Sequence, residues 1–228
     1  MQRILKSRRG QVLFDCDRIE PPSEHWFDPD WWERQSAIVD RHGGRGEALS
    51  IRTPVGQAVL KQYYRGGKAS LISHSSYLYL GTDRVRSIRE WQITNPLWQA
   101  GLPVPEPLAA WFERRGIRYR AALITREIED TQTLADYAGH TETDPALWHS
   151  VGQIIHRFAA FGLFHPDLNA NNILINGRGQ LWLIDFDKSS LKADAIQSTS
   201  MLERLVRSLD KLTIKYDADA LAKGAGRT

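Results

Sequence analysis

The chain has 228 residues, of which 42% are hydrophobic and 25% charged, and its formal net charge is +3. That length suffices for one large domain or for two small lobes around a cleft. No apolar run approaches the roughly 20 residues that cross a bilayer, and no signal-peptide core follows the basic start, so we expect neither a transmembrane helix nor a signal peptide. The single cysteine, Cys16, excludes an internal disulfide and favours a reducing compartment.

Basic residues are clustered along the chain rather than spread evenly. The clusters are Arg3–Arg9, Arg65 with Lys68, and Arg84 with Arg86 and Arg89. The chain also has eight tryptophans. Basic groups beside aromatic side chains suit an anionic partner such as a phospholipid, a phosphorylated sugar or a nucleic acid. For each single cluster, a solvated surface is an equally good interpretation.

The first forty residues are predicted to hold a strand or loose arm and one short helix. Val12–Phe14 lie at the centre of an alternating pattern over residues 1–20. Asp30 is predicted to cap a helix that includes Val39 and ends at residues 42–46, where glycines cluster.

Three glycines of that cluster, Gly43, Gly44 and Gly46, precede the next strand. Because glycine has no side chain, its backbone N–H group can approach phosphate oxygens closely. The full G-x-G-x-x-G spacing is not met, since position 49 is Leu, and a plain flexible loop is an equally good interpretation.

A β-hairpin is predicted over residues 48–64. Its strands are Ala48–Arg52 and Ala58–Tyr64, and Thr53–Gly56 has the composition of the turn between them. Lys61 lies in the second strand. A lysine on a strand is more often an exposed residue than a functional one, so this position alone assigns it no role.

A helix is predicted over Arg84–Ala100, because apolar residues recur on one face of it. Pro96 interrupts the pattern and predicts a kink or a break there. Glu90 is the only carboxylate in the segment.

The remaining patterns predict two strands, two long helices and a tail. The strands are Leu108–Phe112 and Tyr119–Thr125, the helices are Trp148–Phe161 and Met201–Ile214, and the tail from Lys215 is expected to be frayed.

The most informative stretch is His165–Asp187. Asp167 stands five positions before Asn172, and two short apolar runs separated by a tight turn then lead to Asp185. Loop, strand, turn and strand in this order predict a hairpin that brings both carboxylates and the amide together. A Mg-nucleotide site needs such a group: one carboxylate would accept the proton of an attacking hydroxyl, and the amide and the other carboxylate would hold Mg²⁺ against the phosphates. A polar-ended hairpin without chemistry is the alternative.

This stretch resembles the catalytic core of the protein-kinase-like fold. The matches to its H-x-D-L-x-x-x-N and D-F-G patterns are His165, Asp167, Leu168, Asn172, Asp185 and Phe186, with Asp187 in place of the last glycine. The resemblance implies an α+β, two-lobe fold within a single kinase-like domain over residues 1–228. Its N-lobe, about residues 1–126 with an N-terminal arm, would have an antiparallel sheet and one helix. Its C-lobe, about residues 127–228, would be small and mostly helical and carry the catalytic loop.

The same resemblance implies roles for residues outside the stretch. Lys61 matches the strand lysine that reaches the α- and β-phosphates of ATP, and Glu90 matches the helix glutamate that aims it. The glycine cluster lies where the phosphate-covering loop is found, and Arg126–Ile128 lie at the connection between the lobes. The implied catalytic residues are therefore Asp167, Lys61 and Glu90, with Asp167 as the proton acceptor. ATP and Mg²⁺ are the implied cofactors, and Asn172 and Asp185 are the implied Mg²⁺ ligands.

Among kinase-like enzymes, the chain is most similar to the bacterial lipopolysaccharide kinases, and within them to those that act on 3-deoxy-D-manno-octulosonic acid (Kdo). Only 43 residues follow Asp185 (228 minus 185), too few for the activation segment of a eukaryotic-type protein kinase. The segments that carry the similarity are Gly43–Gly46, Lys61, Tyr64–Gly67, Gly101–Pro105, His165–Asn169, Asn172–Leu174 and Leu183–Asp187.

This similarity implies ATP-dependent phosphorylation of the 4-hydroxyl of Kdo on a lipid A precursor, in lipopolysaccharide inner-core biosynthesis. It implies a lipid-anchored anionic acceptor, a peripheral position on the cytoplasmic face of the inner membrane, and no nucleic-acid partner. Acceptor contacts are expected among Arg65, Lys68, Arg84 and Arg86. Two alternatives stay open: another acceptor (a core heptose, an aminoglycoside or a protein serine), or a kinase-like binding module without activity.

Overall fold

The computed structural model describes residues 1–42, 48–63, 77–141, 143–191 and 197–226. The chain divides into two compact units. Residues 1–95 and 106–127 belong to the first unit, and residues 96–105 and 128–228 belong to the second. The first contains an antiparallel sheet and the second is mostly helical, so the predicted α+β class is confirmed.

One antiparallel sheet forms the framework of the first unit. Its strands within the described residues are β1 (Gln2–Lys6), β2 (Gly10–Asp15), β3 (Ile38–His42), β4 (Ala48–Thr53), β5 (Gly56–Gln62), β6 (Tyr77–Leu78), β7 (Pro107–Arg115) and β8 (Arg118–Arg126). Their spatial order is β1-β2-β7-β8-β5-β4-β3, and β6 also pairs with β8. The predicted hairpin is confirmed as β4 and β5, with Thr53 paired to Gly56 across the turn.

The start of the chain forms two paired strands, whereas the alternating pattern predicted either a strand or a loose arm. Residues 1–15 form a β-hairpin in which Gln2 pairs with Asp15 and Lys6 with Gln11. Strand β1 is the outermost strand of the sheet path, and every one of its residues is exposed. The sheet therefore ends on this side in a strand that covers no core.

The first helix, α1 (Pro29–Arg34), is shorter than predicted and begins earlier. Its cap is Asp28, whose carboxylate accepts a hydrogen bond from the N–H of Asp30, so the prediction of Asp30 as the cap is wrong. Ser36 then adopts a left-handed conformation with φ of 51°. Ile38 pairs with Ile51 in the sheet, and this pairing outweighs the helical pattern of the segment.

Apolar residues of alternate strand positions form two clusters in the first unit, because successive side chains point to opposite faces of a strand. One cluster includes Phe14, Trp32 and Leu60. The other includes Leu13 and Trp91 and contains the buried side of α2 (Arg86–Gln99). The predicted long helix is thus confirmed, and Pro96 lies inside it, where the division between the units also falls.

Within the described residues, four helices and several short strands form the second unit. The helices are α3 (Leu134–His140), α4 (Pro145–Ala160), α5 (Gln197–Lys211) and α6 (Ala218–Gly224), and the strands are β9 (Thr131–Thr133), β10 (Leu163–Phe164), β11 (Ile173–Asn176), β12 (Leu181–Leu183) and β13 (Ser190–Leu191). Strands β11 and β12 are antiparallel, which confirms the predicted hairpin. None of the helices in the described parts of the chain is long and apolar enough to pass through a membrane.

The prediction of a frayed tail after Lys215 is wrong, because α6 packs closely against α4. A Cβ atom at Gly152 would overlap the carbonyl oxygen of Leu221, and one at Gly224 would overlap that of His149. The two helix backbones therefore touch at these glycines, an approach that any side chain would prevent.

Candidate active site

The first unit brings Lys61 and Glu90 into contact. Lys61 lies on β5 and Glu90 on α2, and the lysine Nζ is 2.7 Å from Oε2 and 3.1 Å from Oε1 of the carboxylate. The Glu90 side chain is only 5% exposed, whereas that of Lys61 is 26% exposed. The ammonium group is thus held against a buried carboxylate while part of the lysine remains accessible.

Tyr63 is a further part of this contact that the sequence patterns did not single out. Its hydroxyl donates to Glu90 Oε2 at 2.5 Å, and the Lys61 Nζ lies 5.1 Å from the centre of its ring. Tyr63 immediately follows β5 and continues its pairing, because its N–H donates to the Ala121 carbonyl. Tyr63 and Lys61 are two positions apart, so they share a face. That spacing was the available signal, but a tyrosine near a strand end is usually part of the core, as Tyr63 also is.

In the second unit, two asparagines fix the backbone of the loop that carries Asp167. The Nδ2 atoms of Asn169 and Asn172 lie 2.8 and 3.0 Å from the Asp167 carbonyl oxygen, to which both donate. Asn169 also caps the 3-10 turn that follows, by accepting from the N–H of Asn171. The Asp167 carboxylate is 47% exposed, so a rigid backbone presents it to solvent.

Asn172 also connects this loop to the strand that leads to Asp185. Its backbone carbonyl accepts from the N–H of Ile184 at 3.0 Å. Asp185 has a φ of 67°, a left-handed conformation. Such a conformation costs a residue other than glycine about 1 kcal/mol or more, and residues held in it are concentrated at functional sites.

His165 and Phe186 pack together beneath these two segments. The His165 ring is buried, its Nε2 lies 3.1 Å from the Ile184 carbonyl oxygen, and its centre is 5.5 Å from that of Phe186. Phe186 in turn stacks on Phe158 of α4. The two segments therefore share an apolar base that holds their backbones in position.

Lys188 contacts the Asp167 carboxylate, and the sequence patterns did not single it out. Its Nζ lies 2.5 Å from Asp167 Oδ2, and the two side chains are 55% and 47% exposed. The N–H of Ser189 donates to the Phe186 carbonyl at 3.0 Å and closes a turn at this point. The lysine is three positions after Asp185, but only this turn brings it to the loop.

Asn172 and Asp185 are chemically suited to the predicted magnesium site. Because the Asn172 amide nitrogen donates to the Asp167 carbonyl, its side-chain oxygen is the atom that can bind a cation. The Asp185 carboxylate adds a second donor of the hard oxygen type that Mg²⁺ prefers. The donor set therefore fits the ion.

Several predicted residues lie outside the part of the chain that the structure describes. These are the glycines Gly43, Gly44 and Gly46, and the acceptor candidates Arg65 and Lys68. The other two acceptor candidates belong to the first unit. Arg84 is exposed, and the guanidinium of Arg86 lies 4.5 Å from the centre of the Tyr77 ring.

A profile of the Lipopolysaccharide kinase (Kdo/WaaP) family matches residues 29–224 of the chain. The chain belongs to this family. The family that the sequence resembles in segments along the chain is thereby confirmed, and with it the assignment of the chain as a kinase with the protein-kinase-like fold.

Curated relatives of this lipopolysaccharide kinase are named 3-deoxy-D-manno-octulosonic acid kinase. The protein of Stenotrophomonas maltophilia (strain K279a) is 42% identical over 219 residues, which are 96% of this chain and 87% of the relative. The protein of Xylella fastidiosa (strain 9a5c) is 40% identical over 215 residues, or 94% and 86% of the two chains. The protein of Xanthomonas oryzae pv. oryzae (strain PXO99A) is 43% identical over 204 residues, or 89% and 81%.

Proposed function

We propose that this lipopolysaccharide kinase uses ATP to phosphorylate the 4-hydroxyl of Kdo on a lipid A precursor, in inner-core biosynthesis at the cytoplasmic face of the inner membrane. The observation that carries the proposal is the hydrogen-bonded arrangement around Asn172. Its side chain donates to the Asp167 backbone, and its carbonyl holds the strand that leads to Asp185. The names of the relatives support Kdo as the acceptor.

Asp167 is the proposed general base. It orients the sugar hydroxyl and accepts its proton as the phosphoryl group is transferred in line. Its carboxylate suits this task because it is exposed to an acceptor while Asn169 and Asn172 fix the backbone that carries it. General-base assistance of this kind is worth about 10²–10⁴ in rate.

Lys61, Asn172 and Asp185 are the proposed nucleotide-binding groups. Lys61 binds the α- and β-phosphates, and the buried Glu90 carboxylate holds its ammonium group in position. Asn172 and Asp185 are the proposed ligands of Mg²⁺, which when bound neutralises phosphate charge. The glycines of residues 43–46 cover the phosphates with backbone N–H groups.

Lys188 has a proposed role beside the base. Its ammonium group pairs with the Asp167 carboxylate in the absence of an acceptor. When the acceptor hydroxyl replaces the Lys188 ammonium group as the partner of the Asp167 carboxylate, the positive charge of Lys188 stabilises the negative charge of the phosphoryl group being transferred. Fixed charges directed at a transferring phosphoryl group are a main source of catalysis in such enzymes.

The test is ATP consumption with a Kdo-bearing lipid A precursor, comparing the wild type with Asp167→Asn. The amide keeps the shape of the side chain but cannot accept the proton, so kcat should fall by about 10²-fold or more. Asp219→Asn is the matched control, because Asp219 is an exposed carboxylate on α6 in the same unit. Phosphorus NMR of the product then identifies the hydroxyl that carries the phosphate.

Three outcomes would contradict parts of this proposal. Equal turnover by the wild type and Asp167→Asn removes Asp167 from the base position. Phosphate on another hydroxyl corrects the regiochemistry. ATP binding without turnover of the Kdo acceptor rules out that acceptor and directs the search to heptose, aminoglycoside or protein serine substrates.

A further inference from the structure

One end of the sheet in the first unit collects basic side chains from two separate turns. The turn between β1 and β2 carries Arg8 and Arg9, and the turn between β7 and β8 is flanked by Arg114, Arg115 and Arg118. These turns are neighbours, because the Arg114 N–H donates to the Arg9 carbonyl at 2.6 Å. We call this surface, residues 6–11, 77–80 and 113–120, the basic end of the sheet.

Little negative charge offsets these cations. Glu113 is the only carboxylate in the three segments of the basic end, and it pairs with Arg115 at 2.9 Å. The whole chain has a net charge of only +3, so a surface with so many arginines is a concentrated positive field. Arginine on an outer strand can be explained as protection against edge-to-edge pairing. β7 and β8 are interior strands, so that explanation does not apply to their turn.

Exposed aliphatic side chains lie among these arginines. Ile117 is 70% exposed at the tip of the β7–β8 turn, and Leu78 and Leu80 are 53% and 59% exposed. They lie close together, because Leu78 pairs with Arg118 and the Tyr79 N–H donates to the Ile117 carbonyl at 2.8 Å. Large aliphatic groups at the tip of a turn add nothing to a solvated surface and tend to mark an interaction site.

We infer that the basic end of the sheet is the surface by which this protein docks on an anionic lipid bilayer. Arginines attract the phosphates of anionic lipids, and aliphatic side chains enter the boundary between headgroups and acyl chains. A nucleic acid would explain the arginines but not the aliphatic tips, since affinity for it comes mainly from phosphate contacts. The inference rests on the proposed function, because docking on a bilayer would bring the enzyme to its lipid-linked acceptor.

The basic end of the sheet lies near the Lys61–Glu90 pair, as docking beside a lipid-linked acceptor requires. Strand β8 begins at Arg118, and Leu123 on the same strand pairs with Lys61. Five residues of strand correspond to about 17 Å. Docking at the basic end therefore leaves the Lys61 pair within a short distance of the lipid headgroups.

The test is co-sedimentation of the full chain with vesicles of equimolar phosphatidylglycerol and phosphatidylcholine, with pure phosphatidylcholine as the reference lipid. The charge variant combines Arg8→Gln, Arg9→Gln and Arg115→Gln. Partition onto the anionic vesicles should fall about 100-fold, since each basic residue at an anionic surface contributes about fivefold. The matched control removes three exposed cations of the second unit, as Arg157→Gln, Arg178→Gln and Lys211→Gln, and should lose less than about fivefold.

A second variant isolates the aliphatic tips at constant charge. Leu80→Ser with Ile117→Ser should weaken vesicle binding by about tenfold. Its control replaces two other exposed aliphatic residues, as Val39→Ser with Leu212→Ser, and should bind as the wild type does. Thermal unfolding of every variant checks that it is folded.

Two results would overturn the inference. One is an equal loss of vesicle binding in the charge variant and its control. The other is loss of duplex DNA binding parallel to loss of vesicle binding, with no effect of the serine variant, which would make the surface a general polyanion site. Vesicle binding needs neither ATP nor acceptor, so the docking surface stands if the wild type binds through it but phosphorylates no Kdo. If the docking surface and the Kdo kinase activity are both correct, the charge variant loses turnover on acceptor embedded in vesicles and keeps turnover on acceptor in detergent micelles.

Discussion

Two lysine–carboxylate pairs, one in each unit, have similar lengths but different surroundings. Lys61 and Glu90 are 2.7 Å apart, with side chains 26% and 5% exposed. Lys188 and Asp167 are 2.5 Å apart, with side chains 55% and 47% exposed. In addition, Tyr63 donates a hydrogen bond to Glu90.

The difference in burial gives the two lysine–carboxylate pairs different roles, one in structure and one in the reaction. A buried pair cannot exchange its partner for water, so removing one charge leaves the other uncompensated. An exposed pair exchanges readily and contributes little to stability. We therefore expect the Lys61 pair to determine geometry and stability together, and the Lys188 pair to affect only the reaction.

The largest effect is expected from Glu90→Gln, which breaks the buried pair. Stability should fall by about 2 kcal/mol, less than for a fully buried pair because Lys61 is partly accessible. Turnover should fall by about 10²-fold, because the lysine is no longer aimed. Urea unfolding and steady-state kinetics measure the two effects. Glu33→Gln is the control, since Glu33 pairs with Arg41 on an exposed surface, and both quantities should stay near the wild-type values.

A smaller effect, confined to activity, is expected from Lys188→Met. Stability should change by less than about 0.5 kcal/mol, because the pair is exposed. The kcat value should fall by about tenfold with little change in KM for ATP, because the lost charge acts on the transition state. Lys188→Arg should retain most activity, and Lys211→Met on α5 serves as the control. A drop in stability as large as that of Glu90→Gln would show that the two pairs do not differ as proposed.

The smallest effect on turnover is expected from Tyr63→Phe, which removes the hydroxyl that donates to Glu90. Loss of a buried hydrogen bond to a charged group should cost about 1.5 kcal/mol. Turnover should fall only a few-fold, since Lys61 and Glu90 both remain. Tyr79→Phe is the matched control, because its hydroxyl meets the neutral Thr82 hydroxyl at 3.0 Å. An equal loss of stability in both variants would show that the Glu90 charge adds nothing to this hydrogen bond.

Local patterns predicted most of what depends on neighbours along the chain. The two runs and the turn of the hairpin that contains Lys61, the helical period around Glu90 and the two apolar runs after Asn172 each correspond to strands or a helix in the structure. These patterns were sufficient because each element buries one face, and burial imposes a period on the sequence.

Patterns failed where long-range packing decides the structure. Ile38 and Val39 are predicted as part of the first helix, but pairing with β4 makes their segment a strand, which suits their β-branched side chains. Asp217 and the Ala- and Leu-containing run after it favour a helix, and the prediction of a frayed tail gave that signal no weight. The local pattern does not show the glycine contact with α4, which depends on packing between two helices. Lys188 reaches the loop only through the turn after Phe186, which spacing does not encode. The two-residue spacing of Tyr63 from Lys61 indicates a shared face, but it does not reveal that Glu90 on another element is the partner of Tyr63.

The glycine contact between α4 and α6 also limits which mutations the gene can tolerate. Every missense change of a glycine codon introduces a side chain, so no missense change at Gly152 or Gly224 is expected to be neutral. Each such change would force a Cβ into the opposite backbone. When a library of all point mutants is selected for function, substitutions at these two codons should therefore be lost as completely as substitutions at Asp167, although neither glycine takes part in the reaction.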